Sequence, residues 1–583
     1  MKTRYSLHLA FLISLITGIA SLASCTLAEA ADKNNGEAAF VYREIYLPES
    51  TGENAHKIGL NTLDNDWALW GHNLADILPE KKSESIYAKK NGSTVHNQFC
   101  FTSERLFEYI SDYIDNHYDS TDSVRFAILP NDNDIVCLCE DCVAMGNKAK
   151  DASPAVFDLI NKLAKKFPNH VFFTSYYRTT RGLPKTKLPH NVGVLVSAMD
   201  YPLAPTETPA ETEFMKILSQ WNQKTDRIFV WDYINNFDDY FTPFPVFDIM
   251  QRRLNLYKQN GVTAVFLNGS GTDFSSFSGL KADVLAELTE NPQIDWKSVL
   301  KEKAAERFPK AGNIIADFII AQEEFVKQNG KQLPLYDGVG KALQTYLPQE
   351  QFIKFHDELR SVAPSTSGEE KQYVDQLLGA LALTRLELNR INGTTEGSRE
   401  LLNELKTLKG FDIPAYSESG WSVDNYASDY DHLLSHSEAN GNKNLLKGVK
   451  LMPMTALDPD YSDITIVTDG LLGIPSNYHS GNLIMSPETS TKIAIPRNQD
   501  IKRLRVCLSY NPAYRIGLPS EVVLESGGMQ IGRVQPSYPS DESGHVMVDF
   551  NVPREATGSL LLTLVRDPEI HSMAIDEIEG FEK

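Results

Sequence analysis

Residues 227–234 read RIFVWDYI, an apolar run that ends in Asp232 and Tyr233. Continuous apolar runs of this length are typical of parallel strands that are buried on both faces of a sheet. Similar runs recur on either side of it. The eight candidate strands are FVYREIY (40–46), WALWGH (67–72), NQFCF (97–101), SVRFAIL (123–129), HVFFTSYY (170–177), VGVLVSAM (192–199), RIFVWDYI and TAVFLNG (263–269).

Helical spacing fills several intervals between these runs, over 104–118, from Ser153 onward, over 211–222 and over 245–259. Strands that alternate with helices predict a parallel sheet closed by crossovers. We therefore predict a multidomain α/β and β protein whose first domain, 38–285, is a (β/α)8 TIM-like barrel. One interval breaks the pattern, because RTTRGLPKTKLPHN (178–191) reads as loop.

The rest of the chain changes character twice. Residues 286–410 are rich in Lys, Glu, Leu and Ala at helical spacing, which predicts a helical region, and 411–445 read as a connector. Seven short strand-like runs separated by turn residues then predict a β-sandwich over 446–583. These runs are DITIV, TKIAI, RLRVCLSY, EVVLES, HVMVDF, LLLTLV and MAIDEIEGF.

The first residues are typical of an export signal. Two basic residues precede an apolar run from Leu7 to Ala20, which is short for a membrane span. The following Leu22-Ala23-Ser24-Cys25 resembles a bacterial lipobox, so we predict a signal peptide over 1–24, a lipidated Cys25 and a tether over 25–37. The alternative is ordinary cleavage after Ala30. Lipidation predicts an exported protein anchored in the outer membrane, on its periplasmic or cell-surface face.

Polar side chains follow the predicted strands, where a parallel barrel collects its catalytic groups. Cleavage of a glycosidic bond needs a proton donor and a second carboxylate. Asp132, Asp200 and Asp232 are the catalytic candidates, although an Asp after a strand is also a common turn former or helix cap. The substrate-binding candidates are Arg43, Glu44, Trp70, His72, Asn131, Tyr176, Tyr177, Arg178, Tyr233, Asn235 and Asn268.

Four cysteines lie close together in the predicted barrel. Cys137, Cys139 and Cys142 have the spacing C-x-C-x-x-C, and Cys100 ends the third predicted strand. Four thiolates would complete a tetrahedral structural zinc site, whereas two disulfides are the alternative in an exported protein. Both interpretations predict a stapled loop. An all-cysteine shell leaves no open position, so we expect no cofactor for catalysis.

An ordered set of motifs resembles a known family. FVYREIY, WGHNLADILP, QFCFTSE, LPNDND, CLCEDC and VWDYINNF together, over roughly residues 38–310, resemble the bacterial family called domain of unknown function 4838. The resemblance implies a glycoside-hydrolase-like barrel of the kind found in the polysaccharide-utilisation loci of gut Bacteroidetes. A more distant similarity to α-glucuronidases implies Asp132 as the acid and Asp200 or Asp232 as the base or nucleophile.

The C-terminal segment is similar to galactose-binding-like sandwiches of the discoidin type. Thr468-Asp469-Gly470 and Asp576-Glu577 carry this similarity, and it implies carbohydrate binding and a calcium ion between Asp469 and Glu577. The alternative is that both are turn and edge residues.

Two functional hypotheses result. The first is an exported, lipid-anchored glycoside hydrolase acting on an oligo- or polysaccharide, with uronic-acid-containing substrates included. The second is a non-catalytic glycan-binding surface lipoprotein. In both, the partners are a carbohydrate and, through the lipid, the membrane. A net charge of −21 argues against nucleic acid.

Overall fold

The computed structural model describes residues 38–440, 443–485, 489–496, 500–539, 543–556 and 558–582. The predicted signal peptide, the tether and Cys25 lie outside these ranges. Within the described residues, nine strands come before residue 270. They are β1 (Tyr42–Tyr46), β2 (Trp67–Leu69), β3 (Tyr87–Lys90), β4 (Ser93–Phe99), β5 (Arg125–Ala127), β6 (Val171–Tyr176), β7 (Val192–Ser197), β8 (Ile228–Tyr233) and β9 (Ala264–Asn268).

Seven of these strands form one parallel sheet, in the order β1-β9-β8-β7-β6-β5-β2. The predicted eight-stranded barrel is not confirmed, because the run NQFCF belongs instead to β4, which pairs antiparallel with β3 in a separate hairpin. Most of β4 is polar and exposed, with only Gln98 and Phe99 buried. Such a strand lacks the two apolar faces that a place inside a parallel sheet requires.

The sheet curls until its two outer strands touch through side chains. Tyr42 on β1 and Trp67 on β2 stand at opposite ends of the strand order, yet the Trp67 indole N–H donates to the Tyr42 hydroxyl (3.2 Å). Both rings also pack on Phe229 of β8. Among the described residues no backbone ladder joins β1 to β2. The fold is therefore a half-closed barrel with an aromatic interior.

Fifteen α-helices occupy the described residues. They are α1 (Gly52–Lys57), α2 (Leu63–Asp66), α3 (Glu104–His117), α4 (Glu140–Met145), α5 (Ser153–Lys166), α6 (Pro209–Asn222), α7 (Phe247–Gln259), α8 (Ser278–Glu290), α9 (Trp296–Arg307), α10 (Gly312–Asn329), α11 (Val339–Thr345), α12 (Gln349–Val362), α13 (Gly368–Ile391), α14 (Ser398–Lys406) and α15 (Val423–Asn440). Within the described ranges, none combines the length and hydropathy that a bilayer span requires.

Helices α5, α6 and α7 connect successive strands of the sheet, whereas β6 and β7 are joined by loop alone, as the sequence predicts. Ser103 and Thr208 accept hydrogen bonds from backbone N–H groups in the first turns of α3 and α6, which stabilises those helix starts. Helices α9 to α13 share one apolar core with the sheet, and α13, α14 and α15 share a second one that includes Tyr233 of β8.

Two mainly antiparallel sheets that share one hydrophobic core form the C-terminal part of the chain. Their strands are β10 (Met452–Pro453), β11 (Leu483–Met485), β12 (Thr491–Ile495), β13 (Arg503–Tyr510), β14 (Ile516–Gly517), β15 (Glu521–Ser526), β16 (Met529–Val534), β17 (Gly544–Asn551), β18 (Leu560–Val565) and β19 (Ser572–Phe581). Six of the seven predicted runs are strands. DITIV is instead a 3-10 turn, because Asp463 accepts the Thr465 N–H and starts a helical turn there.

The C-terminal sheets are attached firmly to the rest of the chain. The Arg390 guanidinium of α13 donates to the carbonyls of Leu472 (2.7 Å) and Leu471 (3.0 Å). His479 lies 3.0 Å from the carboxylate of Asp238, which follows β8. Residues from Ala38 onward accordingly make one compact unit.

Candidate active site

A cavity of about 230 Å³ opens at the carboxyl ends of the parallel strands. Side chains alternate between the two faces of a strand, and the inward-facing residues of β6, β7, β8 and β9 supply its walls. Loops after the strands add further residues, and Tyr336 before α11 and Glu418 before α15 come from later in the chain. The full lining is His72, Leu129, Asp132, Ser175, Tyr177, Leu195, Ser197, Met199, Trp231, Tyr233, Asn268, Tyr336 and Glu418.

Asp132 enters the cavity from the loop after β5, and the hairpin holds that loop in place. The buried Gln98 side chain of β4 donates to the Asn131 carbonyl (3.1 Å) and accepts the Asn131 N–H (3.1 Å). The backbone carbonyl of Asn97 accepts from the side chains of Asn131 and Asn133 (both 2.9 Å). The position of Asp132 therefore depends on the hairpin as well as on the sheet.

Arg178 forms ion pairs with both aspartates of this loop. Its Nη1 lies 2.8 Å from Asp132 Oδ1, and its Nε lies 3.2 Å from the more exposed Asp134. Arg178 has a φ of 42°, in the left-handed region that a non-glycine residue rarely adopts. Such strain is often found at functional sites. A cation therefore lies beside Asp132 at the edge of the cavity.

Glu418 is the second carboxylate in the cavity. Its backbone N–H donates to the carbonyl of Phe237, in the loop after β8 (2.8 Å), and its Oε2 accepts from the Tyr336 hydroxyl (3.1 Å). Burial and the nearby Glu418 charge raise the pKa of Tyr336, so this hydroxyl stays protonated and donates. Strand β8 lies three places from β5 in the sheet, so the two carboxylates approach from different parts of the rim.

Aromatic and hydroxyl groups line the space between the two carboxylates. Trp231 stacks on Trp70 (centroids 5.3 Å apart, planes at 24°), and the Tyr233 hydroxyl is hydrogen-bonded to Ser197. His72 Nδ1 donates to the Pro130 carbonyl (2.5 Å), which fixes the orientation of the ring. Flat aromatic faces combined with hydroxyl, amide and carboxylate groups suit a small polar ring with apolar faces.

The structure does not bring the three predicted catalytic aspartates together. Asp232 faces away from the cavity and is fully buried, where Arg253 Nη1 lies 2.8 Å from its Oδ1 and the Tyr257 hydroxyl donates to its Oδ2. Strand alternation explains this, since Trp231 and Tyr233 point inward and Asp232 between them must point outward. Asp200 forms an exposed ion pair with Arg181 and does not line the cavity.

Some of the predicted binding residues line the cavity and others do not. His72, Tyr177, Tyr233 and Asn268 line the cavity, and Trp70 supports Trp231 from behind. Asn131 and Arg178 lie beside it, in a smaller pocket around Asp132.

Four predicted binding residues have other contacts. Arg43 faces α8, where it donates to Ala286, and Tyr176 packs on Trp221 of α6. Glu44 is buried and accepts a hydrogen bond from the Tyr42 hydroxyl (2.5 Å), and burial raises its pKa to about 8. Asn235 accepts from the buried Lys281 ammonium (2.7 Å).

Several lining residues have no counterpart among the predictions. Ser175 and Ser197 could be found by extending the inward alternation of β6 and β7, and Trp231 shares the inward face of β8 with Tyr233. No pattern in the local sequence identifies Tyr336 and Glu418 as lining residues. They lie in loops of the helical region and the connector, and only the three-dimensional packing brings them over the sheet.

Two groups of residues were predicted to hold metal. The Sγ atoms of Cys100, Cys137, Cys139 and Cys142 all lie within 4.8 Å of one another. In the C-terminal sheets, Glu577 accepts the Gly470 N–H (3.2 Å), so the two motif segments meet. There Asp469 is ion-paired with Arg390, whose guanidinium already supplies a positive charge to this position.

Comparisons with known proteins give one family match. The family model described as "Domain of unknown function (DUF4838)" matches residues 25–319, more than half of the chain. No curated protein matches the sequence.

Two solved structures are similar at low scores. One is a GH138 enzyme targeting pectin rhamnogalacturonan II, with 10% identity, a TM-score of 0.33, and coverage of 94% of this chain and 87% of that chain. The other, provisionally described as an alpha-L-fucosidase from Bacteroides thetaiotaomicron, has 8% identity, a TM-score of 0.16, and coverage of 73% and 77%. Both scores are too low for either likeness to carry an argument about this chain.

Proposed function

The chain belongs to the DUF4838 family, and we propose that it is a glycoside hydrolase whose active site is the cavity at the carboxyl ends of the parallel strands. The observation that carries this proposal is the presence of two carboxylates, Asp132 and Glu418, on one cavity lined by aromatic rings and hydroxyl groups. Two carboxyl groups are the minimum that most glycosidases use.

The two carboxylates have different partners. Asp132 is ion-paired with the Arg178 guanidinium (2.8 Å). Glu418 accepts a hydrogen bond from the Tyr336 hydroxyl (3.1 Å). We propose that one of the two protonates the leaving oxygen and that the other acts as base or nucleophile. The acid role of Asp132 is the one that the resemblance to α-glucuronidases implies.

Substrate binding would use the aromatic wall. Trp231 and Tyr177 can pack on the apolar face of a sugar ring, while His72, Ser197 and Asn268 can bond its hydroxyl groups. Arg178 could additionally pair with a substrate carboxylate, which keeps uronic-acid-containing saccharides among the candidates. Export and lipid anchoring through Cys25 remain part of the proposal, on the lipobox-like sequence.

A glycan-binding protein without catalysis is the second candidate. The ion pair between Asp132 and Arg178 favours it, because a carboxylate held by a guanidinium can serve recognition alone. In that case the cavity would bind a saccharide and release it unchanged.

A substrate screen separates the two candidates. Purified protein would be incubated with aryl glycosides and with plant and host polysaccharides, including uronic-acid-containing ones, and new reducing ends would be measured. Calorimetric titration with the same saccharides would measure binding. Hydrolysis of any class supports the enzyme, whereas saturable binding without new reducing ends on every saccharide bound supports the glycan-binding alternative.

A further inference from the structure

We infer that Cys100, Cys137, Cys139 and Cys142 form a structural zinc site. Three of the four side chains are buried, and all four Sγ atoms lie within 4.8 Å of one another. The five described cysteines, Cys507 being the fifth, are free thiols in the structure. The inference does not depend on the proposed activity.

The distances between the sulfurs suit a shared metal ion. Cys100 Sγ lies 3.7 Å from Cys139 Sγ and 3.7 Å from Cys142 Sγ. With Zn–S bonds of about 2.3 Å, a regular tetrahedron has S···S edges of about 3.8 Å. Two disulfides would instead draw the sulfurs into two separate pairs at about 2.0 Å. Equal distances from the Cys100 sulfur to two other sulfurs are expected when all of them bind one metal ion.

Neighbouring groups are placed to bond the sulfurs. The Lys89 backbone N–H of β3 donates to Cys137 Sγ (3.3 Å). The Thr102 hydroxyl lies 3.2 Å from Cys142 Sγ and 3.3 Å from Cys100 Sγ. Hydrogen bonds to coordinating sulfurs orient the ligands of structural metal sites. Four sulfur ligands select zinc or iron among common metals, and they leave no open position for substrate.

The site would join two segments that also meet through hydrogen bonds between the hairpin and the Asp132 loop. Cys100 directly follows the β3–β4 hairpin, whereas Cys137, Cys139 and Cys142 belong to the segment that continues from Asp132 into α4. The Leu138 N–H donates to the Lys89 carbonyl (2.8 Å) beside the cluster. Zinc binding would release the thiol protons and fix the hairpin against this segment.

Metal analysis of the full-length exported protein tests the inference. Inductively coupled plasma mass spectrometry after dialysis should find about one zinc per chain. The variants Cys139→Ser and Cys142→Ser should lose most of it, whereas the matched control Cys507→Ala, in the C-terminal sheets, should retain it. Stoichiometric iron would overturn the assignment to zinc.

Two measurements on the unaltered chain keep the test independent of variant folding. Replacement of the metal by cobalt should give the intense visible bands of tetrahedral cobalt with sulfur-to-metal charge transfer. Intact mass without reductant should correspond to four reduced cysteines in the cluster. Either of two results would overturn the inference. One is wild-type protein that holds less than about a tenth of an equivalent of metal and gives no cobalt spectrum. The other is an intact mass lower by the hydrogens that two disulfides remove.

Discussion

Asp232 is the residue whose predicted catalytic role differs most from the contacts that the structure shows. Both of its carboxylate oxygens lie within 2.9 Å of Arg253 Nη1, in a place that is closed to solvent. A buried charge that loses its partner is strongly destabilising, while an exposed ion pair contributes little. Its role is therefore to join β8 to α7.

Replacement of this carboxylate should weaken the fold. We expect Asp232→Asn to lower the free energy of unfolding by about 3–5 kcal/mol, measured by urea denaturation, because buried Arg253 then keeps only the more distant Glu211 carboxylate (3.8 Å) as a charged partner. Asp226→Asn, which removes an exposed partner of Lys187, is the control and should cost less than about 1 kcal/mol. Full stability together with lost turnover would return Asp232 to the catalytic candidates.

Glu44 should make stability depend on pH. Burial raises its pKa from 4.5 to about 8, so the folded chain keeps a proton that the unfolded chain releases. Stability should therefore fall as the pH rises from about 4.5 to about 8. Urea midpoints at several pH values should show a smaller fall for Glu44→Gln. Glu323, whose pKa burial also raises to about 8, leaves a residual fall in both proteins. An unchanged slope in the variant would contradict this account of Glu44.

At the scale of elements, the hairpin is the part of the fold that positions the Asp132 loop. Gln98 bonds both the N–H and the carbonyl of Asn131, whereas Asn97 contributes only its backbone carbonyl. A displacement of about 1 Å of a catalytic group costs as much as a hundredfold in rate. A side chain of β4 is thus expected to affect turnover without reaching the cavity.

Gln98→Ala should lower kcat about tenfold or more, with a smaller change in KM, because it frees the Asn131 backbone beside Asp132. Steady-state kinetics on the substrate found by screening provide the measurement. Asn97→Ala keeps the backbone carbonyl and should leave kcat close to the wild-type value. Equal losses in both variants would show that the hairpin acts through general stability instead.

The apolar strands of the sheet could be predicted because a strand buried on both faces carries a continuous apolar run, as in β6, β7, β8 and β9. The hairpin could not be predicted from such a run, since β4 is polar. Side chains alternate along β8, so Trp231 points inward and Asp232 points outward. The prediction for Asp232 rested on its position at the end of a strand, which does not tell the two faces of the strand apart. Glu418 reaches the cavity through a contact with Phe237, distant in sequence, which no local pattern encodes.

At the scale of the whole molecule, the C-terminal sheets support the loop that carries Glu418. Tyr478 and Tyr514 pack on Trp421 (centroids 5.2 and 5.0 Å away), and the Tyr416 N–H donates to the Trp421 carbonyl across the turn that holds Glu418. These sheets therefore contribute to the cavity indirectly.

Deletion of residues 446–583 should lower turnover of a small soluble substrate as well as of polymer, because it exposes Trp421 and loosens the Glu418 turn. Turnover assays would be paired with circular dichroism to confirm folding. His479→Ala, which keeps the sheets and removes the His479 contact with Asp238 but not the longer Tyr478 contact (3.5 Å), should cause a smaller loss. Undiminished turnover of the small substrate after deletion would mean that the sheets serve only polymer binding.

The central claim is that Asp132 and Glu418 together cleave the glycosidic bond. The most direct measurement is kcat/KM of Asp132→Asn and Glu418→Gln on a substrate that the wild type hydrolyses, with Asp134→Asn as the control that pairs with the same arginine outside the cavity. We predict a loss of about a hundredfold or more for each of the first two and little change for the control. Wild-type turnover in either Asp132→Asn or Glu418→Gln would contradict the account.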